Sequence, residues 1–191
     1  VMDTITTLLR QGSASADHLR RAEKILASAL KRHDRSTPLL LALAELRTVQ
    51  GRFEETEATY REILTKQAGN VTAMNNLAVL LALQQRRLDE ARQLIERAIN
   101  ISGPRSLLLD SRATVYRALG QRHEAIADLE KATVEAPVPI RYFHLALLLQ
   151  ETKQERAAVK AFKKAQALGL KAGHLHPLER PVLEKLRSAL Q

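Results

Sequence analysis

A short pattern of small and large apolar positions recurs along the chain at nearly constant intervals. A small residue is followed four positions later by a large apolar one, and three positions after that by a small or apolar one. The five copies begin at Ala22, Thr56, Ala91, Ala125 and Ala158, so successive starts are 34, 35, 34 and 33 residues apart. The i, i+4, i+7 spacing places each trio on one face of a helix. The pattern therefore predicts a series of amphipathic helices.

A second small residue precedes four of these trios by a near-constant interval. Ala44, Ala113 and Ala146 lie 12 residues before their trios, and Ala78 lies 13 residues before its own. Turn-like stretches separate the paired positions: QGRFEE, QQRRLDE, LGQRHE and TKQERA. Each period thus consists of a helix, a short turn and a second helix, and small residues on both helices let the two backbones approach closely. The sequence predicts an array of helical hairpins.

Over roughly residues 37 to 172 the periodicity resembles that of the tetratricopeptide repeat family. The family pattern has large apolar residues at the fourth and seventh positions of each repeat and Gly or Ala at the eighth. The corresponding residues here are Leu40, Leu43 and Ala44; Met74, Leu77 and Ala78; Leu109, Arg112 and Ala113; and Tyr142, Leu145 and Ala146. The chain departs from the pattern in having no tryptophan, Thr56 for the usual alanine, and Arg112 for leucine. It also has no turn glycine in the second and fourth repeats.

This resemblance implies an all-α fold, a right-handed superhelical array of antiparallel helix hairpins, or TPR α-solenoid. Four repeats would span residues 37–70, 71–105, 106–138 and 139–172. Residues 1–36 would form a degenerate N-terminal helical repeat, with Asp17 capping its second helix. Residues 173–191 would form a C-terminal capping helix, with Leu183, Leu186 and Leu190 covering the apolar face of the last repeat. The alternative that this helix packs on a neighbouring domain stays open.

In this family the first helix of each repeat lines a concave groove that holds the partner. The matching positions give a set of candidate partner-binding residues: Asn75, Asn76, Val79, Leu83, Asp110, Ser111, Thr114, Arg117, Phe143, His144 and Leu147. Across the groove positions the acids Glu45, Asp110 and Glu151 face one base, Arg117. We therefore expect the partner to be a neutral to basic, partly apolar protein or peptide segment, either helical or extended.

Two adjacent asparagines in the second repeat raise a narrower possibility. Some relatives bind the acidic C-termini of heat-shock chaperones through a clamp of lysines, arginines and asparagines. Asn76 matches the asparagine of that clamp, but non-cationic residues stand at the basic positions: Leu41, Glu45, Leu107 and Ser111. Without cations a carboxylate would lose its charge-assisted hydrogen bonds, so this clamp is not expected. Asn75 and Asn76 are interpreted as ligand-contacting amides, against the alternative of solvated polar residues in the first turns of a helix.

The formal net charge of +9 invites a search for an anionic partner. The excess positive charge falls mostly on the second helices and turns: Arg61, Lys66, Arg86, Arg87, Arg92, Arg97, Lys131, Lys160, Lys163 and Lys164. A groove that tracks phosphates would carry its bases inside, beside aromatic residues for stacking. The chain has only 3 Tyr and 3 Phe. Nucleic-acid binding is therefore disfavoured, and a solvated basic outer face is favoured.

Candidate chemistry is sparse. The chain has no cysteine, which excludes disulfides and thiolate metal sites. His174 and His176, with Glu179 nearby, form a weak metal motif of a kind that is more typical of a helix start. No catalytic or phosphate-binding motif occurs. The sequence predicts no enzymatic activity, no metal site and no cofactor.

The predicted function is a protein–protein interaction scaffold that binds a partner segment in the concave groove. Two alternatives stay open: a structural self-assembly module, and a regulatory appendage of a larger multidomain protein. No apolar run of membrane-spanning length and no signal peptide are visible. Cytoplasm and periplasm are both compatible with the sequence. The chain opens on Val1 rather than Met, which indicates a fragment of a longer protein.

Overall fold

The computed structural model describes residues 16–32 and 34–190. This part of the chain is all-α, as predicted, and contains no β-strand. Its ten α-helices are α1 Ala16–Arg32, α2 Thr37–Val49, α3 Phe53–Lys66, α4 Val71–Leu83, α5 Leu88–Ser102, α6 Ser106–Ala118, α7 Arg122–Glu135, α8 Pro139–Glu151, α9 Glu155–Ala167 and α10 Arg180–Ala189. Two 3₁₀ turns, Ala172–His174 and Pro177–Glu179, precede α10. The short N-terminal helix expected before α1 lies outside the described residues.

The recurring apolar trios are buried, which confirms that each marks the packed face of a helix. Leu26, Ile95 and Leu129 are 0% exposed, and Phe162 is 5% exposed. Thr56, which replaces the usual alanine, is also fully buried. Its hydroxyl donates to the Arg52 carbonyl oxygen at 3.0 Å, so the polar atom is satisfied within its own helix.

The turns between paired helices share one backbone geometry, whether or not they contain glycine. Gly51 and Gly120 have φ of 73° and 79°, and Gln85 and Lys153 take the corresponding place with φ of 54° and 60°. In each turn the next residue's amide donates to a carbonyl five positions earlier, as Arg86 does to Leu81 at 3.0 Å. These bonds close the helix end with a left-handed residue. The turns without glycine therefore keep the same ending.

Arg112, another departure from the family pattern, forms an ion pair where leucine would pack. Its guanidinium donates through Nε and Nη2 to the two carboxylate oxygens of Asp128 at 2.6 and 2.7 Å. Asp128 is only 3% exposed, and Tyr116 stacks beneath the guanidinium at 5.4 Å from its ring centroid. The pair links α6 to α7 where leucine would otherwise fill the space.

The chain divides into two compact units, with the boundary between Ala73 and Met74. In the N-terminal unit, α2 and α3 form a hairpin. Arg52 joins Glu23 of α1 to Glu55 of α3 at 2.5 and 2.6 Å. Asp17 lies inside α1, in its first turn, so it is not the helix cap that the sequence predicted. The Asp17 side chain instead forms an exposed ion pair with Arg20 at 2.6 Å.

The C-terminal unit contains most of α4 and all of α5–α10. We call residues 172–190 the C-terminal segment. The apolar core of the unit joins α6–α9 to this segment through Phe143, Phe162, Leu175, Leu183 and Leu186. Leu183 is 0% and Leu186 3% exposed, so α10 covers the apolar face of the helices before it. Among the described residues, no helix has the length and apolar character needed to cross a membrane.

Candidate functional site

All eleven predicted partner-binding residues lie in the C-terminal unit, on the first helices α4, α6 and α8. They differ in accessibility. Four are buried: Asn75, Asp110, Ser111 and Phe143. The others are half-buried: Asn76, Val79, Leu83, Thr114, Arg117, His144 and Leu147. The half-buried set is the part of the predicted groove that a partner could touch without rearrangement of the core.

The two asparagines of α4 bond to each other. Asn75 Nδ2 donates to Asn76 Oδ1 at 2.9 Å, while Asn75 Oδ1 is buried and has no hydrogen-bond partner among the described residues. Neither residue starts the helix, because Asn70 does so: its Oδ1 accepts from the Ala73 amide at 2.9 Å. That cap was not predicted, although an asparagine directly before the apolar run signals it. Ligand contact by Asn75 and Asn76 stays a prediction.

Two of the predicted groove residues, Asp110 and His144, belong to a buried ion cluster. His144 Nδ1 lies 2.5 Å from Asp110 Oδ1, and His144 Nε2 lies 2.9 Å from Glu179 Oε1. The three side chains are only 10 to 12% exposed. An imidazole whose two nitrogens both face carboxylates can donate to both only when it is protonated. The geometry therefore describes an imidazolium held between two carboxylates.

The pKa values in this cluster agree with that assignment. Burial by itself lowers the pKa of His144, but the charges of Asp110 and Glu179 and their hydrogen bonds outweigh it and raise this pKa to about 10. Burial raises the pKa of Glu179, yet the neighbouring His144 charge brings it below its ordinary value. At neutral pH His144 is therefore a cation and Glu179 an anion.

Glu179 is a groove residue that the sequence did not predict. It lies 35 positions after His144 and is the last residue of the 3₁₀ turn Pro177–Glu179, so no helical periodicity links the two. Its second oxygen accepts from the His176 amide at 3.3 Å, and His176 Nδ1 accepts from the Leu178 amide at 3.2 Å. His176 therefore caps the turn, which agrees with the helix-start interpretation. Within the described residues, no group of histidine, cysteine and acidic side chains is suited to hold a metal.

The other groove charges are paired as well. Arg117 donates through Nε and Nη2 to Glu151 Oε1 at 2.8 and 2.5 Å. Arg122 approaches the other Glu151 oxygen at 3.5 Å. Two of the three acids on which the expectation of a basic partner rested, Asp110 and Glu151, thus already have cationic neighbours.

A cavity of about 80 Å³ opens beside this cluster, and we call it the groove cavity. Residues of the first helices and of the C-terminal segment line it: Ala82, Leu83, Gln85, Thr114, Arg117, Ala118, Phe143, Leu147, Leu178, Glu179 and Val182. One water needs roughly 10–15 Å³ of such volume. The groove cavity is therefore large enough to accept a side chain, and both apolar and polar groups form its surface.

Comparisons with known proteins agree with the helical-repeat architecture. Models of the tetratricopeptide repeat match residues 41–106, 108–137 and 141–168. A search of curated proteins found no match.

Solved structures of low sequence identity share the fold. A thermophilic TPR protein of Thermus thermophilus is 20% identical, with a TM-score of 0.74 over 97% of this chain and 98% of that one. PilW, described as a type IV pilus biogenesis factor, is 19% identical, with a TM-score of 0.73 over 99% and 88% of the two chains. Pseudomonas aeruginosa PilF is also 19% identical, with a TM-score of 0.66 over 98% and 87%.

Proposed function

Because the chain belongs to the tetratricopeptide repeat family, whose repeats support a protein–protein interaction scaffold, we propose that it binds a partner segment at the groove cavity. The observation that supports this proposal is the lining of the cavity. Leu83, Thr114 and Leu147, one from each of three successive first helices, converge there with half-buried side chains. Members of the family are generally non-enzymatic, and we propose the same for this chain.

The charges around the cavity favour an apolar, near-neutral segment. Arg117 is engaged by Glu151, and Asp110 and Glu179 share the proton-bearing His144. A strongly charged ligand would have to break these pairs or lie beside them uncompensated, and both are unfavourable in a partly buried site. An apolar side chain entering the cavity requires neither.

Rigidity of the lining is the proposed basis of affinity. The ion pairs Arg117–Glu151 and His144–Glu179 fix the cavity walls before any ligand arrives. A preorganised site loses little conformational entropy on binding, so more of the contact energy appears as affinity. Most of the conformational entropy lost on binding would be lost by the partner segment.

A substitution that places a larger side chain in the groove cavity tests this proposal. Peptides would first be selected from a random library on the wild-type chain. Their affinities would then be measured for Thr114→Leu and for Thr65→Leu. Both threonines donate to the carbonyl four residues earlier, at 3.3 and 3.0 Å, but Thr65 is exposed on α3 in the other unit.

We expect Thr114→Leu to weaken binding about tenfold or more, because overpacking an occupied site costs roughly 1–3 kcal/mol. Thr65→Leu should bind as the wild type does. Equal affinity of both variants for the selected peptides, with unchanged circular dichroism, would show that the groove cavity is not the binding site.

A further inference from the structure

The solvent-facing side of α9 carries four basic residues. Arg156, Lys160, Lys163 and Lys164 follow the spacing i, i+4, i+7, i+8, which places them on one helix face, and all four are exposed. The buried residues Ala158, Phe162 and Ala165 of the same helix are offset by two positions and so lie on the opposite side. We call the four exposed bases the basic face.

The corresponding helices of the other hairpins carry mixed charges. On α3, Arg61 lies 3.1 Å from Glu57, and Lys66 lies 3.7 Å from Glu62. On α5, Arg92 lies 2.8 Å from Glu96. The exposed side of α7 also bears both signs: Glu124, Glu130, Lys131 and Glu135. A solvated helix face in this protein is thus ordinarily of mixed charge.

The basic face has no such compensation. Glu155 is the sole acid on α9, and none of the four bases forms an ion pair with any residue in the described ranges 16–32 and 34–190. Like charges four apart destabilise a helix, and Arg156 lies near the positive end of the helix dipole. Stability of the helix therefore does not account for this arrangement. Binding of an external anion to the four bases would account for it.

The surroundings of the basic face select among anionic partners. The large apolar residue of α9, Phe162, is 5% exposed and points into the core, so this face offers no apolar centre of the kind that protein interfaces bury. No exposed aromatic residue of α9 is present for stacking on bases. An anionic membrane surface requires neither feature, only several cations close together.

We propose that the basic face binds the surface of membranes that contain anionic lipids. The four bases span about 12 Å at the helical rise of 1.5 Å per residue. The exposed Lys153 and Lys171 lie in the segments before and after α9 and add positive charge near its ends. The attraction is electrostatic and peripheral, so raising the salt concentration weakens it.

Vesicle co-sedimentation of the full chain tests this inference. The probes are vesicles of phosphatidylcholine alone and of a two-to-one mixture of phosphatidylcholine and phosphatidylglycerol. The wild type is expected to bind the mixed vesicles only. Changing Lys160, Lys163 and Lys164 together to Gln should lower the partition coefficient roughly 100-fold, because each Lys near an anionic surface contributes about fivefold.

A charge-matched variant controls for net charge. Arg97→Gln, Arg105→Gln and Lys131→Gln remove the same charge from exposed positions on α5, before α6 and on α7. This variant should bind vesicles within about threefold of the wild type. An equal fall in both variants would assign binding to overall charge and overturn the proposal. The proposal would also be overturned if the wild type failed to bind the mixed vesicles. It would equally be overturned if the wild type bound duplex DNA or polyglutamate but not the vesicles.

Discussion

At the scale of single residues, His144 is where burial and charge oppose each other most directly. Burial disfavours its charged form, and the carboxylates of Asp110 and Glu179, at 2.5 and 2.9 Å, favour it. The effect of the carboxylate charges on the pKa exceeds that of burial, since both acids lie within hydrogen-bonding distance in a poorly solvated site. His144 therefore connects α6, α8 and the C-terminal segment through a single side chain.

The raised pKa of His144 makes stability depend on pH. Its pKa is about 10 in the folded chain against 6.5 when unperturbed, so its contribution is complete below pH 6.5 and declines as the pH rises towards 10. We expect the free energy of unfolding in urea to fall across this interval more steeply in the wild type than in His144→Gln. At neutral pH that variant should itself be less stable by about 3 kcal/mol, because it leaves two buried carboxylates without a cation.

Comparing slopes isolates the contribution of His144, since the two proteins share every other titratable group. The carboxylates of Asp110 and Glu179 face the ring in the wild type and remain in the variant. Parallel pH dependences in the two proteins would mean that the ring is not charged in the folded state.

At the scale of elements, the hairpin α6–α7 shows how a departure from a repeat pattern is compensated. Arg112 occupies the place of a leucine and is matched by Asp128 on the facing helix, 16 positions later. Neither residue alone fits the packed interface, because each would bury an unpaired charge. As a pair, Arg112 and Asp128 compensate each other's charge.

This pairing predicts that restoring the family residue is harmful. Arg112→Leu should lower the free energy of unfolding by about 3 kcal/mol, because Asp128 would remain buried without its partner. Adding Asp128→Ala to the same chain should recover most of the loss. Chemical denaturation of the two variants measures both effects, and a single variant as stable as the wild type would contradict the structural role of the pair.

At the scale of the whole molecule, the helical hairpins were predictable and the ion pairs between helices were not. The spacing from Ala22 to Ala158 encodes helix faces locally, which is why the trios predicted the buried surfaces. The contact between His144 and Glu179 joins a helix to a 3₁₀ turn, and no local period encodes such a pairing. The same holds for the closure of the groove cavity by Leu178 and Val182. Assignment of the predicted residues to ligand contacts remains a proposal.

We propose above all that a partner segment enters the groove cavity. A photo-crosslinking amino acid at Leu83, which lines the cavity, tests it directly when compared with the same amino acid at Leu94, half-buried on α5 of the same unit. With a peptide selected on the wild-type chain, we predict crosslinking from position 83 and none from position 94. Crosslinking from position 94 alone, or from neither position while the peptide remains bound, would contradict the claim.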